Sequence, residues 1–366
     1  MDQVHIFFFP MMAHGHMIPT LDMAKLFVYR GARATVITTP LNVPYLTKAI
    51  QKINHLGIEI AVRAITFPAA EAGLPDGCER MDQLSSDDLV PKFFKATALL
   101  QEPLEKLLQE CRPNALVADM FFPWATDAAA KFGIPRLVFH GIGYFALCAT
   151  ENVRAYKPHR NVSSDFEPFL VPDLPHEIYL TRSQLSLHDR EDSETYMTKL
   201  HREIKESESR SYGVIVNSVY ELEPEYAEYY TKVLGKRAWH IGPLLLCNTK
   251  IEEKALREKR TTLSPPSSED RHEILKWLDT KKPSSVIYVC FGSMSHFIPS
   301  QLHEIAVGLE ASGQQFIWVV LMVGEDAEGF RSRARSLKEK ALNAIEPGGS
   351  SYSALNDLLK ELSTTK

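Results

Sequence analysis

The sequence predicts an α/β protein built on a parallel sheet and divided between two cores. Short apolar runs alternate with longer segments of helical periodicity, the pattern of repeated βα units. The chain has 366 residues, more than the roughly 250 to 300 at which single hydrophobic cores stop growing. One charge-rich, then Ser/Pro-rich stretch interrupts the alternation and marks a boundary.

Val4 to Phe9 reads as the first strand and Pro19 to Tyr29 as an amphipathic helix, with Leu21, Met23, Ala24, Leu26 and Phe27 on its apolar side. Ala34 to Thr38 is the next strand. Ala115 to Ala118, a helix over Ala125 to Phe132 and a strand over Arg136 to His140 follow. Val214 to Asn217 closes the series before an acidic helix around Glu223 to Tyr230. Between Leu246 and Glu269 the pattern fails, through the charged run Ile251 to Arg260 and the loop Ser264-Pro265-Pro266-Ser267-Ser268. A second pattern then begins: helix Arg271 to Leu278, strand Ser285 to Phe291, helix Ser300 to Ser312, strand Gln315 to Val320, and a helical tail. The resulting division is a first Rossmann-like domain over 1–245, a linker over 246–270, a second and incomplete domain over 271–342, and a tail over 343–366.

Composition narrows the function. The formal charge of -5 arises from 46 acidic and 41 basic residues without a basic stripe, which disfavours nucleic acid and anionic membranes as partners. Five cysteines without a C-x-x-C pair indicate neither a disulfide framework nor a zinc site and suit a reducing, cytoplasmic location. The opening residues are too short and too acidic for a signal peptide, and no run reaches the ~18 apolar residues of a membrane span. The sequon Asn161-Val162-Ser163 is then expected to stay unmodified.

Four local features could carry chemistry. Pro10 to Pro19 forms a turn after the first strand and contains His14, Gly15 and His16, where a histidine can take a proton from a hydroxyl at neutral pH. The plain alternative is a surface turn; no ligand cluster at familiar spacing accompanies the H-x-H pair as a metal site. Asp119 ends an apolar strand, where a carboxylate can orient a histidine or merely cap the next helix. Gly141-Ile142-Gly143-Tyr144-Phe145-Ala146 matches the dinucleotide fingerprint G-x-G-x-x-A but lies several βα units too late for it. Gly292 and Ser293 end the strand of the second pattern, either as an anion-binding turn or as an ordinary one.

The order and wording of several runs closely resemble the plant UDP-dependent glycosyltransferases of specialised metabolism, family 1 enzymes of the two-domain GT-B fold. Those runs are Gly15-His16-Met17-Ile18-Pro19-Thr20-Leu21-Asp22-Met23-Ala24, Asn114-Ala115-Leu116-Val117-Ala118-Asp119, Gly213-Val214-Ile215-Val216-Asn217-Ser218, Ala238-Trp239-His240-Ile241-Gly242-Pro243-Leu244 and Ser285 to Ser293. The resemblance implies that His16 is the general base acting on an acceptor hydroxyl and that Asp119 is its orienting partner. It implies a single inverting displacement on a UDP-sugar, glucose being the expected sugar, with no metal and no cofactor beyond that co-substrate. Gly292 and Ser293 would touch the diphosphate, with Gly15 at the first helix on the same side. The acceptor would be a small lipophilic alcohol or phenol of flavonoid, terpenoid or hormone type. Phe121, Phe122, Tyr144 and Phe145 would line its site, unless they belong to the core.

Two departures change the expectation. Relatives often carry a Ser or Thr in the loop after Phe139, whereas this chain reads His140-Gly141-Ile142-Gly143. The family's donor-site signature, opening Trp-Ala-Pro-Gln and containing His-Cys-Gly-Trp-Asn-Ser, is absent: Trp124, Trp239, Trp277 and Trp318 precede Ala-Thr, His-Ile, Leu-Asp and Val-Val. Phe316 to Val320 should lead into that signature, yet Val323 to Lys338 resembles a segment well downstream, as if the second domain were truncated internally by splicing or a mis-joined gene model. UDP-sugar is therefore expected to bind weakly if at all, and the shortened chain to transfer sugar little or not at all. The rivals are a non-catalytic acceptor-binding or partner-binding form of such an enzyme, and a dinucleotide-binding protein using Gly141 and Gly143.

Overall fold

Every residue of His5–Phe9 is buried, which suits a central strand covered on both faces and explains a continuous apolar run rather than an alternating one. In the computed structural model this is β1. The described residues are 3–51, 59–84, 86–190, 194–247, 276–282, 284–289, 299–317 and 340–364. They fall into two compact units, Met1–Cys247 with Glu339–Lys366, and Asn248–Lys338.

The strands of the first unit are β1, β2 (Arg33–Thr38), β3 (Ile60–Ala64), β4 (Ala115–Asp119), β5 (Arg136–Phe139), the hairpin β6 (Pro168–Val171) and β7 (Ile178–Thr181), β8 (Gly213–Val216) and β9 (Ala238–His240). Among the described residues, β3-β2-β1-β4-β5-β8-β9 form one sheet, every pair parallel. Two strands of that sheet escaped the sequence reading. β3 is a partly exposed edge strand and β9 has three half-covered residues, so neither shows the unbroken apolar run of an inner strand. The sheet consequently ends on β9, beyond the strand expected to close it.

Up to Cys247 the α-helices of this unit among the described residues are α1 (His14–Tyr29), α2 (Val43–Gln51), α3 (Ala69–Ala72), α4 (Val90–Ala98), α5 (Gln101–Cys111), α6 (Ala125–Ala130), α7 (Tyr144–Tyr156), α8 (Leu187–Arg190), α9 (Tyr196–Ser209) and α10 (Pro224–Glu228). Alternation along the strands sends Phe7, Phe9, Leu116 and Ala118 to one face, against Phe93, Leu104, Leu108, Ala125 and Ile204. The opposite face receives Ile6, Phe8, Ala115 and Val117, against Leu21, Phe27 and Leu46. A helix near the C-terminus, Ser350–Thr364, buries Leu355, Leu358 and Leu362 in this second layer.

In α1 the structure corrects the sequence reading. The helix begins at His14, five residues before Pro19, so the second part of the expected turn, from His14 to Pro19, is its first turn and a half and Pro19 lies inside. Proline cannot donate to the carbonyl four residues back, which is why pattern rules start a helix there. Here the amides of His16 and Met17 both bond the Ala13 carbonyl and the helix extends backward over the site.

The second unit has β10 (Val286–Tyr288) parallel to β11 (Gln315–Ile317), connected through α11 (Pro299–Ala311). The helix Ser350–Thr364 of the first unit is α12. Gly292 and Ser293 lie outside the described residues.

Candidate active site

β1 and β4 are neighbours in the sheet, with Phe9 paired to Ala118. Their carboxyl ends therefore place the start of α1 beside Asp119, the crevice position where parallel sheets bind ligands. His16 Nδ1 lies 2.6 Å from Asp119 Oδ2. A carboxylate only accepts, so Nδ1 carries the hydrogen and Nε2 keeps its lone pair. The Asp119 side chain is fully buried while the His16 side chain stays 29% exposed, so the carboxylate is shielded and part of the imidazole is reachable.

The electrostatics of the pair pull in opposite directions. Burial disfavours the His16 imidazolium, but the Asp119 charge and hydrogen bond outweigh it and raise the pKa above the ordinary 6.5. Burial likewise penalises the Asp119 carboxylate; His16 and the backbone amides of Phe121 and Met11 more than offset this and hold its pKa below the usual carboxylate value. The Phe121 amide donates to Asp119 Oδ1 at 3.1 Å.

Phe121 also stands beside His16, ring centroids 5.8 Å apart. Phe94 lies 5.3 Å from Phe121, His201 lies 6.3 Å from it, and Tyr196 follows 6.4 Å beyond Phe94. This aromatic group, brought together from the turn after β4, from α4 and from α9, gives the pair an apolar flank. Of the four aromatics expected to line an acceptor, Phe121 is the one in ring contact with His16. Phe122 is fully buried, stacked on Phe9 at 4.5 Å, and Tyr144 is fully buried against Tyr230. Both are core residues: each lies past a strand end, where alternation no longer fixes a face and tertiary packing decides. Phe145 is exposed but packs on Tyr226.

His14 is not a partner of His16: its Nδ1 bonds Asp82, which Arg80 also holds. Among the described residues no three His, Cys, Asp or Glu side chains gather as metal ligands. Gly15 sits in the first turn of α1, where an added Cβ would meet nothing within 4 Å, so the helix start presents open backbone. Gly141 has the positive φ of 78° that favours glycine, but the amides of Tyr144 and Phe145 at the start of α7 donate to Glu223 at 2.8 and 2.7 Å. A carboxylate of the chain thus occupies the position a pyrophosphate would need there.

Sequence reasoning missed two further imidazole–carboxylate pairs, His14–Asp82 and His140–Glu208. His140 Nε2 bonds Glu208 Oε2 at 2.6 Å, and Lys236 bonds Glu208 Oε1 at 2.8 Å. Burial would raise the Glu208 pKa, yet His140 and Lys236 hold it far below the usual range. These residues lie on separate elements, and no local pattern announces their meeting.

No protein-family model matches the chain. The chain is 62% identical over 346 residues to the scopoletin glucosyltransferase of Nicotiana tabacum, covering 93% of this chain and 71% of that protein. It is 57% identical over 321 residues to the anthocyanin 3'-O-beta-glucosyltransferase of Gentiana triflora, covering 87% and 65%. Among solved structures, Glycyrrhiza uralensis UGT73P12 complexed with glycyrrhetinic acid 3-O-monoglucuronide superposes with a TM-score of 0.78 at 39% identity, covering 93% of this chain and 68% of that one. The chain thus spans between 65% and 71% of the length of these relatives. Identity of this extent, on the parallel-sheet α/β architecture of the GT-B fold class, shows that the chain belongs to the plant UDP-glycosyltransferases.

Proposed function

We propose that the first unit is the acceptor-activating half of an inverting UDP-glucose-dependent transferase for small phenolic acceptors, and that the chain of 366 residues transfers sugar little or not at all. The observation carrying the first part is the His16–Asp119 hydrogen bond of 2.6 Å at the carboxyl ends of β4 and β1. His16 Nε2 takes the acceptor proton as the hydroxyl oxygen bonds to the anomeric carbon; the bond from that carbon to UDP breaks, and UDP leaves with the electron pair. Attack from the face opposite UDP turns an α linkage into a β-glycoside. Asp119 stabilises the imidazolium that results. Phenols suit this base because their pKa near 10 lies far closer to that of an imidazole than an alkyl alcohol's does.

The names of the relatives support glucose as the sugar and hydroxycoumarin or flavonoid compounds as acceptors. Phe121, Phe94 and Tyr196 would contact the acceptor ring, and Gly15, Gly292 and Ser293 would lie on the donor side. The missing donor signature supports the second part, since positioning the anomeric carbon about 3 to 3.5 Å from the attacking oxygen is worth several kcal/mol. The reading also places the protein in the cytoplasm, supported by three cysteines among the described residues, Cys78, Cys111 and Cys148, which are free.

The test incubates the purified full chain with UDP-glucose and a panel of hydroxycoumarins and flavonols. Acceptors should alter intrinsic fluorescence and raise the melting temperature, while UDP release stays at the no-enzyme level. Acceptor-dependent UDP release that disappears in His16→Ala would retain the base and overturn the inactivity; absence of any acceptor binding would overturn the acceptor half.

A further inference from the structure

Arg136, the first residue of β5, is 2% exposed and faces no carboxylate at ion-pair distance among the described residues. A buried guanidinium without a paired anion is costly and needs a purpose. Its donors show where it is spent. Nη2 bonds the Asp119 carbonyl at 2.8 Å and approaches the carbonyls of Phe122 at 3.4 Å and Ala118 at 3.5 Å. Nη1 bonds Thr126 Oγ1 of α6 at 3.0 Å and Ser207 Oγ of α9 at 3.3 Å, while Nε has no partner. One planar fork thus ties the end of β4 and the turn after it to two helices. The strand ends on Asp119, whose carboxylate orients His16, and the turn carries Phe121, whose amide holds the same carboxylate and whose ring flanks the imidazole.

We propose that Arg136 is a positioning residue for the His16–Asp119 pair, its buried fork clamping the Ala118–Phe122 carbonyls so that the Asp119 carboxylate is held on His16 Nδ1. This inference rests on the assignment of His16 and Asp119 as base and orienting group, but it concerns their geometry and needs no turnover. Lysine cannot substitute, because a single ammonium presents three donors at one point and cannot span carbonyls on one side and hydroxyls on the other. The carboxylates nearest in effect, Asp119 and Glu208, keep Arg136 charged, although burial brings its pKa down to about 10.

The test is the titration of His16 in the full-length protein, followed by NMR of labelled histidine and assigned with His16→Ala. In the wild-type chain His16 titrates above 6.5 because Asp119 is held on it. Arg136→Lys should lower that midpoint toward the ordinary value, whereas Thr126→Val, which loosens only the helix side of the fork, should lower thermal stability and leave the midpoint in place. An unmoved midpoint in folded Arg136→Lys, or an equal shift in both variants, would reduce Arg136 to a general structural residue. Should Arg136→Lys not fold, wild-type protein decides: the Arg136 guanidinium carbon resonance should shift with the His16 midpoint, and a flat trace across it would overturn the proposal. Sugar transfer is scored separately, so an inactive chain whose His16 titration responds to Arg136 keeps this inference while the transferase reading fails.

Discussion

At the scale of single residues, the site depends on which nitrogen of His16 is free. Asp119→Asn should be more damaging than its size suggests. An amide can donate to Nδ1 and so place the hydrogen on Nε2, the nitrogen that accepts the proton in the proposed mechanism. In any form of the chain with measurable transfer, His16→Ala should cut turnover on an oxygen acceptor at least ~100-fold, and Asp119→Asn on the order of 10²- to 10⁴-fold. Initial-rate measurements of UDP release check both. The pH dependence has a definite sign. Asp119 raises the His16 pKa above 6.5, so the neutral base is scarce below that value and kcat/KM should rise with pH and level off only above 6.5. In Asp119→Asn burial acts on His16 alone and its titration midpoint should fall, which histidine NMR reads directly. The same coupling acts on stability: the His16 contribution is fully present below 6.5 and fades as pH rises through its folded pKa, while that of Asp119 is present above 3.8 and is lost as pH falls through its lowered folded pKa.

Whole elements decide whether those residues meet. α12 is far from the site in sequence, yet Leu355, Leu358 and Leu362 share a core layer with Leu21 and Phe27 of α1, the helix whose first turn bears His16. Arg30 at the end of α1 lies 3.8 Å from the Tyr352 ring centroid, and Arg237 beside β9 pairs with Glu361. Leu358 is fully buried, so Leu358→Ala should cost about 2–5 kcal/mol, as other large-to-small core changes do. Chemical denaturation of the first unit's transition measures it; a loss under ~1 kcal/mol would mean that α12 rests on the surface instead of filling the core. α7 offers a second case. A Cβ at Gly143 would come within 2.4 Å of Glu223 Oε1, so Gly143→Ser should displace the carboxylate from the start of α7 and cost roughly 1 kcal/mol, the usual size of a lost cap.

For the whole molecule the two units have unequal means. The first carries a seven-stranded sheet with helices on both faces; in the second the described residues pair only β10 with β11. Two-stranded sheets are marginal alone, so limited proteolysis should cut first within Asn248–Lys338 and leave a resistant product from the first unit. Equal persistence of both would contradict this. Fold class and family were legible in the sequence, since βα alternation and the runs around His16 and Asn114 to Asp119 are local signals. The division of roles among Phe121, Phe122 and Tyr144 was not, because all three follow strand ends where alternation stops specifying a face.

Local periodicity and wording determined the parallel-sheet class, the inner strands β1, β2, β4, β5 and β8, and the identity of His16 and Asp119 as the residues to watch. Each of those depends on near neighbours along the chain, through side-chain alternation or through a run of adjacent residues. Tertiary structure alone decided that α1 begins before Pro19, that β9 closes the sheet, that Phe122 and Tyr144 are core, and that Arg136 reaches the carbonyls beneath Asp119. His16 and Asp119 are 103 residues apart in sequence and 2.6 Å apart in space. A contact of that kind exists only because β1 and β4 lie side by side, and strand order is a property of how the whole chain buries its apolar faces, not of any segment within it.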